Sequence, residues 1–332
     1  MATIKDVASL AGFSKTLVSR TLNDQPGVSE DARRLIREAA ASLQYRPNVL
    51  ARSLVLKKTQ TVGVVLDSLC IPYYFDLIRG IERAAAAAGY RVLYCSAGSA
   101  ETGKAAYIDF FAQGYVDGIV IYGSDCNSLQ LIARLQAMRF PTAVIEQAIG
   151  GAAVNNVLLD NAAGARMATE RLLAAGCKDV RHFMGDIGKT VSADRLKGYV
   201  EAMTAHGRRV EAKHVLQADF KKESGKALME ALIAAGDVPD GIFVAADEPA
   251  YGAMEALYAH GYEVPRDVRI VGFDDDQNIH ATQGLPGLTT IRQPLREMGG
   301  KAVEMLIRTI QSDDAAAATA LFVPELVERE TC

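Results

Sequence analysis

Apolar residues recur at helical spacing near the start of the chain and predict three short helices. The first has Thr3 as its N-cap and ends at Gly12, where a left-handed backbone costs least. Ser14 caps a second helix that runs to about Asn23, and Ser29 caps a third. The predicted buried positions are Ile4, Val7, Ala8 and Ala11 in the first helix, Leu17, Val18, Thr21 and Leu22 in the second, and Ala32, Leu35, Ile36, Ala39, Ala40 and Leu43 in the third.

After Thr61 the pattern changes to apolar runs that alternate with helical stretches. The predicted strands are Val62–Leu66, Val92–Tyr94, Gly118–Ile121, Thr142–Ile145, Val180–Met184, Gly241–Ala245 and Val268–Gly272. This alternation favours parallel sheets covered by helices. The region is too long for one ordinary sheet, so we predict an α/β core of two Rossmann-like subdomains that face each other across a cleft.

The second helix leaves three polar side chains, Lys15, Thr16 and Arg20, on its solvent side. An arginine can bind a guanine through two hydrogen bonds, and a threonine can donate to a base or contact a thymine methyl group. Two short helices joined by a tight turn therefore predict an all-α helix-turn-helix domain that enters a DNA groove, with Arg20 as the main base contact. An ordinary pair of surface helices is the alternative interpretation.

The charge distribution agrees with a nucleic-acid partner at the same end of the chain. The net charge is −4, yet residues 1–60 carry ten Lys and Arg against five Asp and Glu. A polyanion is expected to bind at such a basic end. The sequence has no signal-peptide pattern and no long apolar span, so we expect a cytoplasmic protein without a membrane partner.

The sequence gives little support to an enzyme. The dinucleotide, P-loop and nucleophile-elbow motifs are absent, and the five histidines are scattered without an acid–base cluster. The five cysteines have no metal-ligand spacing. Asp274 to Asp276 have no accompanying ligand set, so we predict no metal and no cofactor.

Six segments in register, TIKDVA, AGFS, LVSRTLN, VSEDAR, LQYRPN and ARSL, carry a resemblance to a known family. The chain resembles the lactose/galactose-repressor family of bacterial transcription regulators, and the resemblance continues to the C-terminus. It implies a helix-turn-helix domain (residues 1–47), a hinge helix and linker (48–60) and a periplasmic-binding-protein-like core (61–332). The core would comprise an N-subdomain of about 61–160 and 292–323 and a C-subdomain of about 161–291 and 324–332. The chain would cross between them near Asp160–Asn161, Ile291–Gln293 and Phe322–Pro324.

The predicted hinge is a short helix that Asn48 can cap. A helix of about two turns is marginal in water, whereas two copies can pack through Leu50 and Leu54 beside Arg52. The resemblance implies that this helix orders on operator DNA and that Leu54 inserts into the minor groove. A basic tether is the alternative. The predicted DNA contacts are Thr3, Ser14, Lys15, Thr16, Ser19, Arg20, Asn23, Asn48, Ala51, Arg52 and Leu54.

Aromatic and acidic side chains follow several predicted strands, at the edge where ligands of such folds bind. Aromatic rings can stack on the apolar face of a sugar while carboxylates accept hydrogen bonds from its hydroxyls. A sugar is therefore the leading ligand. The resemblance implies effector contacts at Tyr73, Tyr74, Glu146, Lys189, Arg195, Phe220 and Asp274.

Several observations keep other ligands open. Asp247 is an eighth candidate, but it can instead cap the helix that follows it. Ala246 stands where sugar-responsive members of the family often carry Asn or Ser. Lys189 and Arg195 together can hold a carboxylate or a phosphate. Sugar acids, sugar phosphates and purines are therefore alternatives.

The predicted function is a sequence-specific DNA-binding regulator, a repressor, that binds a palindromic operator as a homodimer. Two heads related by a two-fold axis would read two half-sites, because one short head binds weakly alone. A small metabolite in the cleft would control DNA binding by moving the lobes. A regulator whose core responds to a partner protein is the alternative.

Overall fold

A computed structural model describes residues 2–45, 58–98, 101–123, 139–148, 154–276, 284–312 and 316–332. The chain divides into two compact units, Met1–Thr59 and Gln60–Cys332. The first is called the head and the second the core.

The head contains three helices, α1 (Ile4–Ala11), α2 (Lys15–Leu22) and α3 (Glu30–Ser42). The predicted caps are confirmed, since the Ser14 and Ser29 hydroxyls accept hydrogen bonds from the backbone N–H groups three residues on. Thr3 donates to the Asp6 carboxylate from both its backbone N and its hydroxyl, each at 2.8 Å. Gly12 has a φ of 72°, as the predicted end of α1 requires.

The three helices share a small apolar core, made by Val7, Ala8, Val18, Ile36, Ala39 and Ala40. The buried stripe predicted for α3 is wrong at one position, because Leu35 is 40% exposed. The buried stripe of α3 is centred on Ala32 and Ile36, and Leu35 lies on its flank. The two short helices that precede α3 therefore do not cover Leu35.

The strands of the core form two parallel sheets and one antiparallel pair within the described residues. Their bounds are β1 Thr61–Leu66, β2 Arg91–Ser96, β3 Gly118–Tyr122, β4 Thr142–Ile145, β5 Asn155–Leu159, β6 Val180–Met184, β7 Val215–Gln217, β8 Gly241–Val244, β9 Arg269–Val271, β10 Thr290–Arg292, β11 Thr319–Phe322 and β12 Glu325–Val327. The first sheet has the order β11-β5-β4-β3-β1-β2, and the second has the order β7-β6-β8-β9. The predicted fold class is confirmed, and each sheet belongs to one lobe.

The helices of the core are α4 Phe75–Ala87, α5 Glu101–Phe110, α6 Asn161–Ala174, α7 Thr190–Ala205, α8 Lys222–Ala234, α9 Asp247–Ala259 and α10 Leu295–Gln311. A π-helical turn, Phe111–Tyr115, extends α5, and 3-10 turns lie at Pro72–Tyr74 and Ala212–His214. The chain leaves the first sheet after β5 and returns to it as α10 and β11. The antiparallel pair β10–β12 joins the segment that leads into α10 to the segment that follows β11.

All seven predicted strands are present, but β5, β7, β10, β11 and β12 were not predicted. Three of these five span only three residues each, and β5 opens with two asparagines. Such segments lack the apolar run on which the prediction depended.

Helices α4 and α10 cross at very short distance because glycines lie at the crossing. A Cβ added at Gly299 would lie 2.4 Å from the carbonyl oxygen of Leu77, whereas one added at Gly300 would lie 3.7 Å from that of Gly80. The two helices pack almost backbone to backbone at Gly299 but not at Gly300.

We predict that Gly299→Ala lowers the free energy of unfolding by about 1–3 kcal/mol, because backbone atoms must move apart. Gly300→Ala is the matched control and should leave it unchanged or raise it by up to about 1 kcal/mol, through the higher helix propensity of alanine. Urea unfolding of the intact chain measures both. Equal stability of the two variants would contradict the close crossing.

Candidate functional site

The candidate DNA-reading surface of the head is the exposed side of α2. Lys15, Thr16 and Arg20 are exposed there, while Val18 and Thr21 are buried on the opposite side. Arg20 donates from Nη2 to the carbonyl oxygen of Pro26 at 2.6 Å. Because a guanidinium has five N–H donors, this bond orients the side chain and leaves others for a ligand.

The remaining predicted DNA contacts differ in their surroundings. Ser14 and Thr3 are helix caps, and the Asn23 side-chain amide donates to the carbonyl oxygen of Ser19 at 2.8 Å. Asn48, Ala51, Arg52 and Leu54 lie outside the described residues, so their predicted hinge role stays a prediction.

A cavity of about 340 Å³ lies between the lobes of the core, near the lower end of the size range of small-molecule sites. Seven of the eight predicted effector residues line it. The lining residues are Asp67, Ile71, Tyr73, Tyr74, Tyr122, Glu146, Lys189, Val191, Arg195, Phe220, Lys221, Ala246, Glu248, Asp274 and Asp276.

The sheet order explains why these residues meet. Strands β1, β3 and β4 are neighbours, and their carboxyl ends lead to Asp67, Tyr122 and Glu146. In the other lobe, β8 and β9 are neighbours and lead to Ala246 and Asp274. The carboxyl ends of the strands in a parallel sheet lie along one edge of that sheet. Because this edge faces the cleft in both sheets, residues at the strand ends contact a ligand from both sides.

Arg195 is the most firmly held cation of the cavity and is only 3% exposed. Its Nε donates to the side-chain oxygen of Asn161 at 2.9 Å, and Nη1 donates to the backbone oxygen of Ala245. The guanidinium carbon lies 3.7 Å from the centre of the Phe273 ring. Its Nη1 also lies 3.8 Å from Asp274 Oδ1, so much of its charge is balanced within the protein.

Two carboxylates of the cavity, Glu146 and Asp274, sit on unusual backbone. Their φ angles are 73° and 120°, in the region that favours glycine. Burial raises the pKa of Glu146, and it raises the pKa of Asp274 well above the ordinary value, although the Arg195 charge opposes the shift at both. Backbone held in such a conformation costs about 1–3 kcal/mol per residue, and it often marks functional sites.

Asp247 does not line the cavity, contrary to the predicted effector role. Its carboxylate is buried and accepts hydrogen bonds from the Thr290 hydroxyl at 2.6 Å and from the backbone N of Asp276 at 2.9 Å. It begins α9, whose N-cap is Ala246. A Cβ at Gly272 would lie 2.3 Å from Asp247 Oδ1, so glycine there makes room for this carboxylate. Through these hydrogen bonds, the Asp247 carboxylate links strand β10 to the loop that follows β9.

Tyr122, Val191 and Lys221 line the cavity but were not predicted. Tyr122 is the last residue of β3, and the rule that ligands bind at carboxyl ends of strands would have found it. No comparable signal marks Val191, which faces the cavity from the first turn of α7.

Among the described residues, no group of three or more His, Cys, Asp and Glu side chains has the arrangement of a metal site. None of the helices there is long and apolar enough to cross a membrane.

A helix-turn-helix head joined to a two-lobed core with a cleft defines a ligand-responsive DNA-binding regulator. Residues 3–48 match the model of bacterial regulatory proteins of the lacI family, and residues 169–332 match a periplasmic binding protein-like domain. The chain belongs to the LacI family, and it is a DNA-binding transcriptional repressor with a small-molecule effector.

Similar proteins span the whole chain. The HTH-type transcriptional repressor PurR of Actinobacillus pleuropneumoniae serotype 3 (strain JL03) is 32% identical, over 100% of this chain and 98% of that protein. The ribose operon repressor of Halalkalibacterium halodurans is 31% identical, over 100% and 97%. The structure of the Lac repressor dimer bound to operator and the anti-inducer ONPF has a TM-score of 0.88 at 27% identity, over 99% of this chain and 98% of that one.

We predict that Asp247→Ala lowers the free energy of unfolding by about 2–4 kcal/mol, because it leaves buried donors without their charged acceptor. Thr290→Val removes one donor and keeps the acceptor, so its loss should be smaller. Chemical unfolding without added ligand measures both. If Asp247→Ala kept the stability of the wild-type chain but lost ligand binding, Asp247 would instead have the predicted role of an effector contact.

Proposed function

We propose that the protein represses transcription as a homodimer on a pseudo-palindromic operator, under the control of a sugar or sugar derivative bound in the core. The cavity carries this proposal, because it combines aromatic walls with carboxylates between two lobes. The operator-bound dimer of the similar Lac repressor supports the homodimer. A regulator that acts on DNA works in the bacterial cytoplasm.

The lining favours a polyhydroxylated ligand. Tyr73, Tyr74 and Phe220 offer aromatic surface, and Glu146 and Asp274 offer acceptors for hydroxyl groups. The ribose operon repressor among the similar proteins agrees with this class.

Sugar acids and sugar phosphates fit less well. Lys189 Nζ lies 3.4 Å from Asp67 Oδ2, and Arg195 lies beside Asp274. An anionic ligand would have to compete with these carboxylates for both cations.

A purine is the second candidate. The PurR proteins among the relatives favour it, and the aromatic residues of the cavity would suit stacking on a flat base. A binding screen that includes both classes separates them.

We assign a helix-turn-helix domain to residues 1–47, a hinge helix and linker to 48–60 and an effector-binding and dimerisation region to 61–332, with an N-subdomain of about 61–160 and 292–323 and a C-subdomain of about 161–291 and 324–332. On this proposal α2 lies in the major groove, Arg20 contacts a base, and Leu54 of two hinges enters the minor groove. A ligand that binds one arrangement of the lobes better than another shifts the population between them. That shift would alter how readily the paired hinges order on DNA.

We expect a thermal-shift screen of the intact chain against neutral sugars, sugar acids, sugar phosphates and purines to give its largest stabilisation with a polyhydroxylated compound. A ligand at a hundred times its Kd stabilises by about 2.7 kcal/mol. Phe220→Ala should weaken the response at least about tenfold, while Phe110→Ala, an exposed aromatic change on α5, should not. Stabilisation by purines alone would replace the sugar with the second candidate.

Arg20→Ala should reduce the preference for operator over random DNA by about 1–3 kcal/mol, since it removes a base contact. Lys58→Ala, which removes an exposed positive charge of the linker, should weaken binding to both duplexes alike. Fluorescence anisotropy at fixed salt measures the affinities of the wild-type chain and of both variants for the two duplexes. Equal losses on both duplexes for Arg20→Ala would refute base readout.

A further inference from the structure

We propose that the effector is a polyhydroxylated amine, of the amino-sugar class, whose protonated amine binds Glu146 beside the Tyr73 and Tyr122 hydroxyls. This inference rests on the proposed sugar-type function and specifies the ligand further.

Three tyrosines meet on one wall of the cavity. The ring centres of Tyr74 and Tyr122 lie 4.9 Å apart, and those of Tyr73 and Tyr74 lie 5.3 Å apart, all edge to face. The Tyr73 and Tyr122 hydroxyl oxygens are 3.0 Å apart, and the Tyr73 hydroxyl donates to Glu146 Oε1 at 3.4 Å. The rings limit access of water to the carboxylate, and the hydroxyl oxygens can accept further hydrogen bonds.

Glu146 has no cationic partner within 4.0 Å among the described residues. Arg195 and Lys189 are near enough to act on its charge, but each lies closer to another carboxylate. Burial raises the pKa of Glu146, so its charge is poorly compensated by the protein alone. A ligand that brings a positive charge to this point would compensate it, whereas hydroxyl groups supply hydrogen bonds only.

The charges of the cavity as a whole also favour a cationic ligand. The described lining residues include five carboxylates, Asp67, Glu146, Glu248, Asp274 and Asp276, against three cations, Lys189, Arg195 and Lys221. Like charges in a partly dehydrated site raise one another's cost of ionisation. An ammonium group has three donors and no acceptor, and these requirements match a carboxylate flanked by hydroxyl oxygens.

Isothermal titration calorimetry of the intact chain tests the proposal with glucosamine, galactosamine and mannosamine. Each amino sugar is compared with its parent hexose and its N-acetyl derivative, which keep the ring but lack the positive charge. We expect at least one amino sugar to bind about ten- to thirtyfold more tightly than both comparison compounds, as an ion pair in a partly buried site allows.

Glu146→Gln keeps the size and one acceptor oxygen, replaces the other oxygen with an NH2 donor and removes the charge, so this preference should fall to within about threefold. Glu230→Gln, on the exposed side of α8, makes the same change in net charge away from the cavity and should keep the preference. Circular dichroism establishes that both variants are folded. If Glu146→Gln does not fold, the comparison of ligands on the wild-type chain decides alone.

Parent hexoses that bind as tightly as their amino sugars would overturn this inference and leave the sugar-type function intact. Binding of purines without binding of any sugar in the panel would overturn both. An amine preference that survives Glu146→Gln would overturn the assignment to this carboxylate.

Discussion

Two half-buried carboxylates face each other across the cavity, and the backbone holds each of them in an unusual conformation. Glu146 follows a strand of one sheet and Asp274 follows a strand of the other, and both have positive φ angles. Their charges act on each other across the cleft and help to raise the pKa of Asp274. Lys189 of one lobe lies 3.4 Å from Asp67 of the other, and Arg195 lies 3.8 Å from Asp274, so cations of the cleft offset part of this repulsion. A ligand that accepts or donates hydrogen bonds on both sides would bind one arrangement of the lobes better than another.

The loop that carries Asp274 is also tied to the segments that connect the lobes. Gln293 donates to Asp274 Oδ1 at 2.6 Å, and the neighbouring Asp275 accepts from Arg292 Nε at 2.7 Å and pairs with Arg329. Arg292 ends β10, which pairs with β12 in the region where the chain passes between the sheets. A change at the ligand-facing carboxylate therefore reaches the connecting strands through direct hydrogen bonds. Such a chain of direct contacts can carry coupling between two sites, and it offers the proposed control a physical route within the core.

Local sequence signals predicted the caps at Thr3, Ser14 and Ser29 and the long apolar strands. A cap depends on the residue type at the start of a helix, and a buried strand depends on its own apolar run. Strand β5 opens with two asparagines, and β10 and β12 span three residues each, so no local apolar run marks them. For the cavity, the residues that follow long apolar strands were predicted. Tyr122 was missed, although it also lies at the carboxyl end of a strand. Asp247 shows the limit of that rule. A carboxylate at the end of a strand can face either a ligand or a neighbouring loop. For Asp247 the outcome depends on Thr290 and Gly272, which lie near it only in the folded chain.

We infer that occupancy of the core cavity changes the affinity of the head for DNA. The direct measurement is the affinity of the intact protein for a palindromic duplex selected from a random pool, at physiological salt, with and without a saturating ligand of the core. We expect this affinity to shift at least about fivefold in one direction, a typical allosteric coupling, and two chains to bind each duplex. A ligand that saturates the core and leaves the affinity for that duplex unchanged would contradict this inference.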